Sequence, residues 1–312
     1  MLDVFAIVFP AFGLIALGFI AARWRYISKI GHRGLSEFAF NVAIPGMLFH
    51  KMATAGFPDA TPLALWISFF SALFITWGLA TIATRHLLHR PAADAPSIAM
   101  SSTFGNTVML GIPLAVGRYG DAALAPIALI LSLHSPLLWI TATLHLAASD
   151  QQGDHSVAGM AKRLMIDLVS NPIIVALFAG TLWRQSGIGF AAPVDRLLLL
   201  LGQASVPTAL FALGLSLNEF QIKGQGPTLT VICLLKMLVM PAVAWVLAID
   251  VFALAPASAG VVVLLAACPT GSSAFLFASR TGRALDSTSG AVALGVVLAA
   301  FSASALLYWL PA

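Results

Sequence analysis

Asn41-Val42-Ala43-Ile44-Pro45-Gly46-Met47-Leu48-Phe49 and Gln203-Ala204-Ser205-Val206-Pro207-Thr208-Ala209-Leu210-Phe211 are the two stretches whose comparison decides the fold. Asn41, Pro45, Leu48 and Phe49 fall on Gln203, Pro207, Leu210 and Phe211, each displaced by 162 positions (203 − 41 = 162). The same displacement carries Phe9-Pro10 onto Asn171-Pro172, and Gly18 onto Gly180. One offset that keeps an amide, a proline and two apolar neighbours in place across two segments reads as an internal duplication.

The duplicated segments are apolar, and so is most of the chain around them. Of 312 residues, 60% are apolar and only 9% are Asp, Glu, Lys or Arg, where a soluble domain carries about 25% charged residues. That polar surface is too small to dissolve the molecule, which excludes an ordinary soluble domain. Ten segments read as membrane helices, over 2–22, 35–54, 61–88, 97–116, 122–147, 164–185, 194–218, 226–250, 255–277 and 286–310. Most reach the roughly 20 residues that cross about 30 Å of hydrocarbon at 1.5 Å per residue.

The repeat period holds five segments. Five is odd, so the second copy enters the membrane from the opposite side, with residues 1–150 forming the first repeat and 163–312 an inverted second one. The expected fold class is therefore all-α integral membrane, with ten transmembrane helices in two inverted five-helix repeats. Inverted repeats are the usual architecture of alternating-access carriers.

The loop charges set the expected orientation. Arg23, Arg25, Lys29, Arg33, Arg85, Arg90, Lys162, Arg163, Lys223, Arg280 and Arg283 fall on one side, against Lys51, Arg118, Arg184 and Arg196 on the other. The positive-inside rule then places both termini outside the cytoplasm. The net charge of +4 is scattered over short loops and makes no nucleic-acid patch. Cys233 and Cys268 lie in apolar runs as small hydrophobes, without disulfide or zinc spacing, and no metal site is expected. Acidic Asp3 and the lack of a basic n-region argue against a removed signal peptide.

The fourth and ninth segments carry the chemistry. The fourth reads Ser101-Ser102-Thr103-Phe104-Gly105-Asn106-Thr107-Val108-Met109-Leu110-Gly111-Ile112-Pro113, and the ninth reads Ala267-Cys268-Pro269-Thr270-Gly271-Ser272-Ser273. Gly105, Gly111, Pro113, Pro269 and Gly271 are helix-breaking residues, and both regions are predicted to unwind at mid-membrane. Unpaired backbone groups in hydrocarbon cost several kcal/mol each, so two matched breaks point to one central site. Freed N–H groups and positive helix ends favour a carboxylate, with Asn106, Thr107, Thr270, Ser272 and Ser273 as hydrogen-bonding partners. The plainer reading is a pair of packing kinks whose hydroxyls bond back to the preceding turn.

Four further groups matter. Lys236, five residues before Pro241, is read as an anion attractor or a conformational ion-pair partner. Arg280 is read as reaching a vestibule or anchoring the inner interface, and His134 as a proton relay or a satisfied structural histidine. Asn41 and Gln203 stand four residues before Pro45 and Pro207, where an amide serves gating or repair of the carbonyl the proline leaves free. The break regions hold no Asp or Glu, so no carboxylate relay is visible, and sodium coupling, proton coupling and uniport all stay open.

Together these motifs resemble the auxin efflux carrier family, particularly bacterial members described as malonate or malate permeases. The resemblance runs over essentially the whole chain: Phe9-Pro10 with Gly18, Leu35 to Pro45, Gly105-Asn106-Thr107 with Gly111-Ile112-Pro113, Asn171-Pro172, Val206-Pro207 through Gly214, Lys236 with Pro241, and Pro269. It implies a fold similar to bile-acid sodium symporters, with crossed broken helices four and nine. It also implies a scaffold of helices 1, 2, 6 and 7 and a transport domain of helices 3–5 and 8–10 moving as an elevator. By the same resemblance the protein is a carrier of small organic anions in a bacterial inner membrane, without a bound cofactor, surrounded by membrane lipids and paired as a homodimer through its scaffold. Ala148 to Lys162 is all the central loop available, and Gly105 and Thr270 depart from the proline and asparagine of plant carriers, so an auxin-like aromatic carboxylate is the less expected cargo. An anion or solute channel is the main rival. A membrane enzyme or a non-transporting receptor ranks lower, since no nucleophile–base pair or nucleotide loop stands out.

Overall fold

The computed structural model describes residues 2–54, 62–149, 170–220 and 226–311, whose regular elements are helices joined by short turns and extended segments. Lys162, Arg163, Lys223, most of the stretch from Ala148 to Lys162 and the start of the sixth predicted segment lie outside the described residues. In chain order the helices are α1 (Leu2–Arg23), α2 (Lys29–Phe38), α3 (Ile44–Thr54), α4 (Pro62–His86), α5 (Ala95–Thr103), α6 (Ile112–Tyr119) and α7 (Leu124–Ser149). They continue with α8 (Pro172–Gln185), α9 (Ala192–Leu217), α10 (Gly226–Leu234), α11 (Met240–Trp245), α12 (Pro256–Ala267), α13 (Ser272–Thr281) and α14 (Leu285–Trp309).

Three of the joints share a cause. Wide π turns at Ala39–Ala43, Thr107–Gly111 and Leu235–Val239 each end two residues before a proline: Pro45, Pro113 and Pro241. A proline inside a helix has no N–H to give and crowds the carbonyl four residues back. A widened turn just upstream shifts the carbonyl register and lets the helix continue through the proline. Pro207 is carried inside α9 without such a turn, so the two copies of the repeated motif differ here.

Six stretches are long and apolar enough to cross a membrane: Phe5–Arg23, Pro62–His86, Thr107–Ser149, Ala192–Leu217, Gly226–Val251 and Leu285–Trp309. The chain is thus an all-α, multi-pass membrane protein. Four predicted segments fall short of that measure for different reasons. The second begins in the charged helix α2, the fourth and ninth are each divided, and the sixth is described only from Pro172. The 43-residue stretch Thr107–Ser149 would be about 65 Å long as one helix, twice a bilayer core. It turns at Gly120, whose φ of 56° suits a residue with no side chain. Large apolar side chains such as Phe5, Phe9, Phe178, Leu182, Phe301 and Trp309 are exposed on the outside, as a lipid-facing surface requires.

The most extensive helix pairings are α1 with α9 and α8 with α3. They are built alike. A methyl on Gly18 would fall within the radius of the Phe211 carbonyl oxygen, and one on Gly180 would fall on the Phe49 carbonyl oxygen. Gly18 and Gly180, like Phe49 and Phe211, are 162 positions apart (180 − 18 = 211 − 49 = 162). Small residues at helix crossings let backbones approach where lipid offers no hydrophobic drive. α2, α3, α8 and α9 also pack on one another, while α4–α7 and α10–α14 pack chiefly among themselves. Contacts between the two groups are sparser and run mainly through α1 with α14 and α6, and α9 with the Thr107–Gly111 turn.

Candidate binding site at the broken helices

α5 stops at Thr103 and α12 at Ala267, and the two extended segments that follow lie antiparallel, with Gly105 opposite Thr270. Asn106 N–H donates to the Pro269 carbonyl at 2.7 Å, and Gly271 N–H donates to the Phe104 carbonyl at 2.8 Å. This short ladder supplies partners for backbone that the breaks would otherwise leave unpaired inside the bilayer. Gly105 and Gly111 permit the approach. A methyl on Gly105 would sit 3.2 Å from Cys268 Cβ and 3.3 Å from the Leu265 carbonyl oxygen, while one on Gly111 would lie 2.9 Å from Cys268 Sγ.

Beyond the ladder the chain re-enters helix twice, through the π turn at Thr107 and through α13 at Ser272. First-turn amides have no acceptor within their own helix. Among the described residues the N–H groups of Thr107, Val108, Ser272 and Ser273 find none elsewhere either. These four residues, together with Gly105, Asn106 and Gly271, line a cavity of about 70 Å³, several times the roughly 10–15 Å³ that one water requires. Phe40, Phe104, Leu131, Ile173 and Ile174 form its apolar walls, and His134, Ser135 and Asn171 complete it. Among the described residues, no Asp, Glu, Lys or Arg lines it. The described lining residues offer donors and positive helix ends and bring no fixed negative charge, which suits an anion.

His134 is 2% exposed, and its Nε2 has no hydrogen-bond partner. Its ring lies against Phe104 and Phe69, with centroids 4.7 and 5.7 Å apart. A satisfied structural histidine, the plainer expectation, is not what the geometry presents: the imidazole stands at the cavity between two aromatic rings that accept nothing from it.

Other predicted residues stand elsewhere. Thr270 is buried, and its hydroxyl donates to the Ser101 carbonyl at 2.8 Å, so it serves the broken end of α5. Lys236 is fully buried behind Gly105 and does not line the cavity. Arg280 is exposed, with its guanidinium over the Trp139 ring at 5.4 Å. Asn41 and Gln203 are exposed and are not among the residues that line the cavity. Pro113 is carried in a continuing helix by the π turn just upstream, and the break lies before that turn, at Phe104 to Asn106. Pro269 and Gly271 lie in the ninth-segment break itself.

Sequence reasoning missed Ser135 and Asn171 as lining residues. Asn171 caps α8, its side chain accepting from Ile173 N–H at 3.0 Å, and the Asn-Pro pair was a legible sign of that helix start. Ser135 carried no signal beyond standing next to Pro136. A larger hollow of about 660 Å³ between α1 and α14 is lined by Phe5, Val8, Phe9, Phe12, Phe301 and other mainly apolar side chains. It presents lipid-like surface and does not suit a charged guest.

A multi-pass helical protein with a donor-rich cavity between broken helices belongs to the class of membrane transporters. The comparison with known families agrees: the chain belongs to the family described as membrane transport protein, which matches residues 3–307, and it is a transport protein and not an enzyme. It is also similar to a protein of Rhizobium meliloti (strain 1021) named "Putative malonate transporter", with 25% identity over 316 aligned positions that cover 99% of this chain and 96% of the relative.

Proposed function

We propose that this protein is a secondary carrier of small organic anions, of the size and charge of malonate or malate, and a bacterial inner-membrane member of the auxin efflux carrier group. The observation that carries the reading is the convergence of two sets of free helix-end amides, at Thr107–Val108 and Ser272–Ser273, on one cavity that no acidic side chain lines among the described residues. Asn106, half-buried at its edge, is placed to orient a carboxylate. The name of the Rhizobium meliloti relative supports the choice of cargo.

In this proposal the chain crosses ten times, as two inverted repeats over residues 1–150 and 163–312, with both termini periplasmic. The scaffold comprises α1, α2–α3, α8 and α9, and the moving domain comprises α4–α7 and α10–α14. The matched glycine contacts at Gly18 and Gly180 and the sparse packing between the two groups support this division. A carrier needs a firm moving body around its cargo and a weaker seam along which that body slides. A homodimer through the scaffold would cover Asn41 and Gln203.

The test is uptake into proteoliposomes of a panel of labelled mono- and dicarboxylates, under separately imposed sodium, proton and electrical gradients. Saturable uptake with counterflow of malonate or malate is expected. Flux that never saturates and shows no counterflow would make the protein a channel and end the carrier reading.

A further inference from the structure

Lys236 is the largest unexplained cost in the molecule. It sits at mid-span in the π turn Leu235–Val239, fully buried, and among the described residues no carboxylate pairs with it. A bare ammonium in such a place is expensive unless a negative partner is supplied. The partner is backbone: Nζ donates to the Ala266 carbonyl at 2.6 Å and to Met240 Sδ at 3.2 Å.

Ala266 lies in the last turn of α12, where helix carbonyls lack the N–H donors of a following turn and carry the negative end of the helix dipole. The neighbouring carbonyls are met from within the break: Leu264 O by Cys268 Sγ at 3.3 Å and Leu265 O by Cys268 N–H at 3.4 Å. Only the ammonium reaches in from another span. The corresponding end of α5 is closed by a neutral group, since Ser101 O accepts from the Thr270 hydroxyl. The two broken ends are thus capped asymmetrically, one by a hydroxyl and one by a full positive charge. That charge stands one backbone away from the cavity, because Nζ lies 3.3 Å from the point a Gly105 methyl would occupy and Gly105 is a lining residue.

We propose that Lys236 is a tethered cation: its ammonium occupies the carbonyl end of the broken helix α12, and its field, acting through Gly105, favours the anion in the cavity without a co-bound free cation. The inference rests on the carrier reading and assigns Lys236 a positioning and electrostatic role behind the site. The charge is tethered to the chain and moves with the site, so cargo binding at α12 requires no sodium.

Three measurements on the protein decide this. In proteoliposomes, malonate uptake by the wild type is expected to agree within about two-fold in sodium and in choline media. For purified Lys236→Met, which keeps the volume and drops the charge, the malonate KM is expected to rise about ten-fold or more, with the maximal rate affected less. The thermal unfolding midpoint of the purified wild type, compared in sodium and choline chloride without substrate, is expected to show no sodium-specific shift. Sodium stimulation near ten-fold, a sodium-specific rise in that midpoint, or an unchanged KM in a folded Lys236→Met protein would each overturn the proposal. If the wild type takes up no carboxylate in either medium, the carrier reading fails, while the substrate-free unfolding comparison still decides whether a free cation binds. That comparison uses wild-type protein alone, so the cation claim stays testable even if Lys236→Met does not fold.

Discussion

Asn106 and His134 carry opposite risks. Asn106 leaves its amide free at the cavity edge, so Asn106→Ala costs the fold little and costs the bound anion its hydrogen bonds. Malonate affinity is expected to fall by about 1–3 kcal/mol, measured by equilibrium binding to purified protein of normal yield, and an unchanged Kd would displace Asn106 from the site. His134 is an unsatisfied polar group packed between Phe104 and Phe69, and a buried polar atom without a partner costs about 1–3 kcal/mol. His134→Phe should therefore keep or raise the thermal midpoint of the empty protein while lowering malonate uptake. A midpoint well below wild type would mean that the imidazole holds the fold together and is not kept for a ligand.

Among the elements, the paired crossings of α1 with α9 and α8 with α3 are the tightest joints. Because the nearest atoms opposing Gly18 and Gly180 are backbone carbonyl oxygens, those of Phe211 and Phe49, neither can swing aside as a side chain would. Gly18→Ala and Gly180→Ala should each lower stability by about 1–3 kcal/mol, the usual range for overpacking, read from unfolding in detergent. If both were silent, the helices would be free to shift and the close-packed scaffold would be in doubt. The break between α5 and α6 has a different logic. Its ladder uses main-chain atoms of Phe104, Asn106, Pro269 and Gly271, and glycine at 105 and 271 keeps the two strands close.

For the whole molecule, the question is whether the two helix groups move past one another. Lys51, on α3, and Asp121, just before α7, form an ion pair of 2.6 Å, the one ion pair among those described here that joins the groups. The side chains are 34% and 61% exposed, and an exposed pair is worth only about 0–1 kcal/mol, so Lys51→Ala should leave the unfolding midpoint nearly unchanged. The position is more informative as a lock. Lys51→Cys with Asp121→Cys, bridged by a short cleavable thiol-reactive cross-linker that spans the removed side chains, is expected to stop uptake and to recover it on cleavage. Full transport in the cross-linked protein would show that the seam stays still during the cycle. The cluster of Arg90, Asp94 and Arg283 lies wholly within the proposed moving domain and is expected to tolerate no such separation.

Composition and periodicity were enough to reveal a multi-pass helical membrane protein, because a lipid solvent imposes the same demand on every span and so writes itself into long apolar runs. The 162-residue offset exposed the pairing of Gly18 with Gly180, and the glycines and prolines marked where helices four and nine would break. Which polar groups face the cavity was settled only by tertiary packing. Thr270 and Lys236 read in the sequence as ligands, yet each is drawn to an orphan carbonyl at the end of a broken helix. His134 and Asn171, from distant parts of the chain, line the cavity only because α7 and α8 come together around the crossing. A residue's type states what bonds it can make, and the nearest unsatisfied partner in three dimensions decides which one it does make.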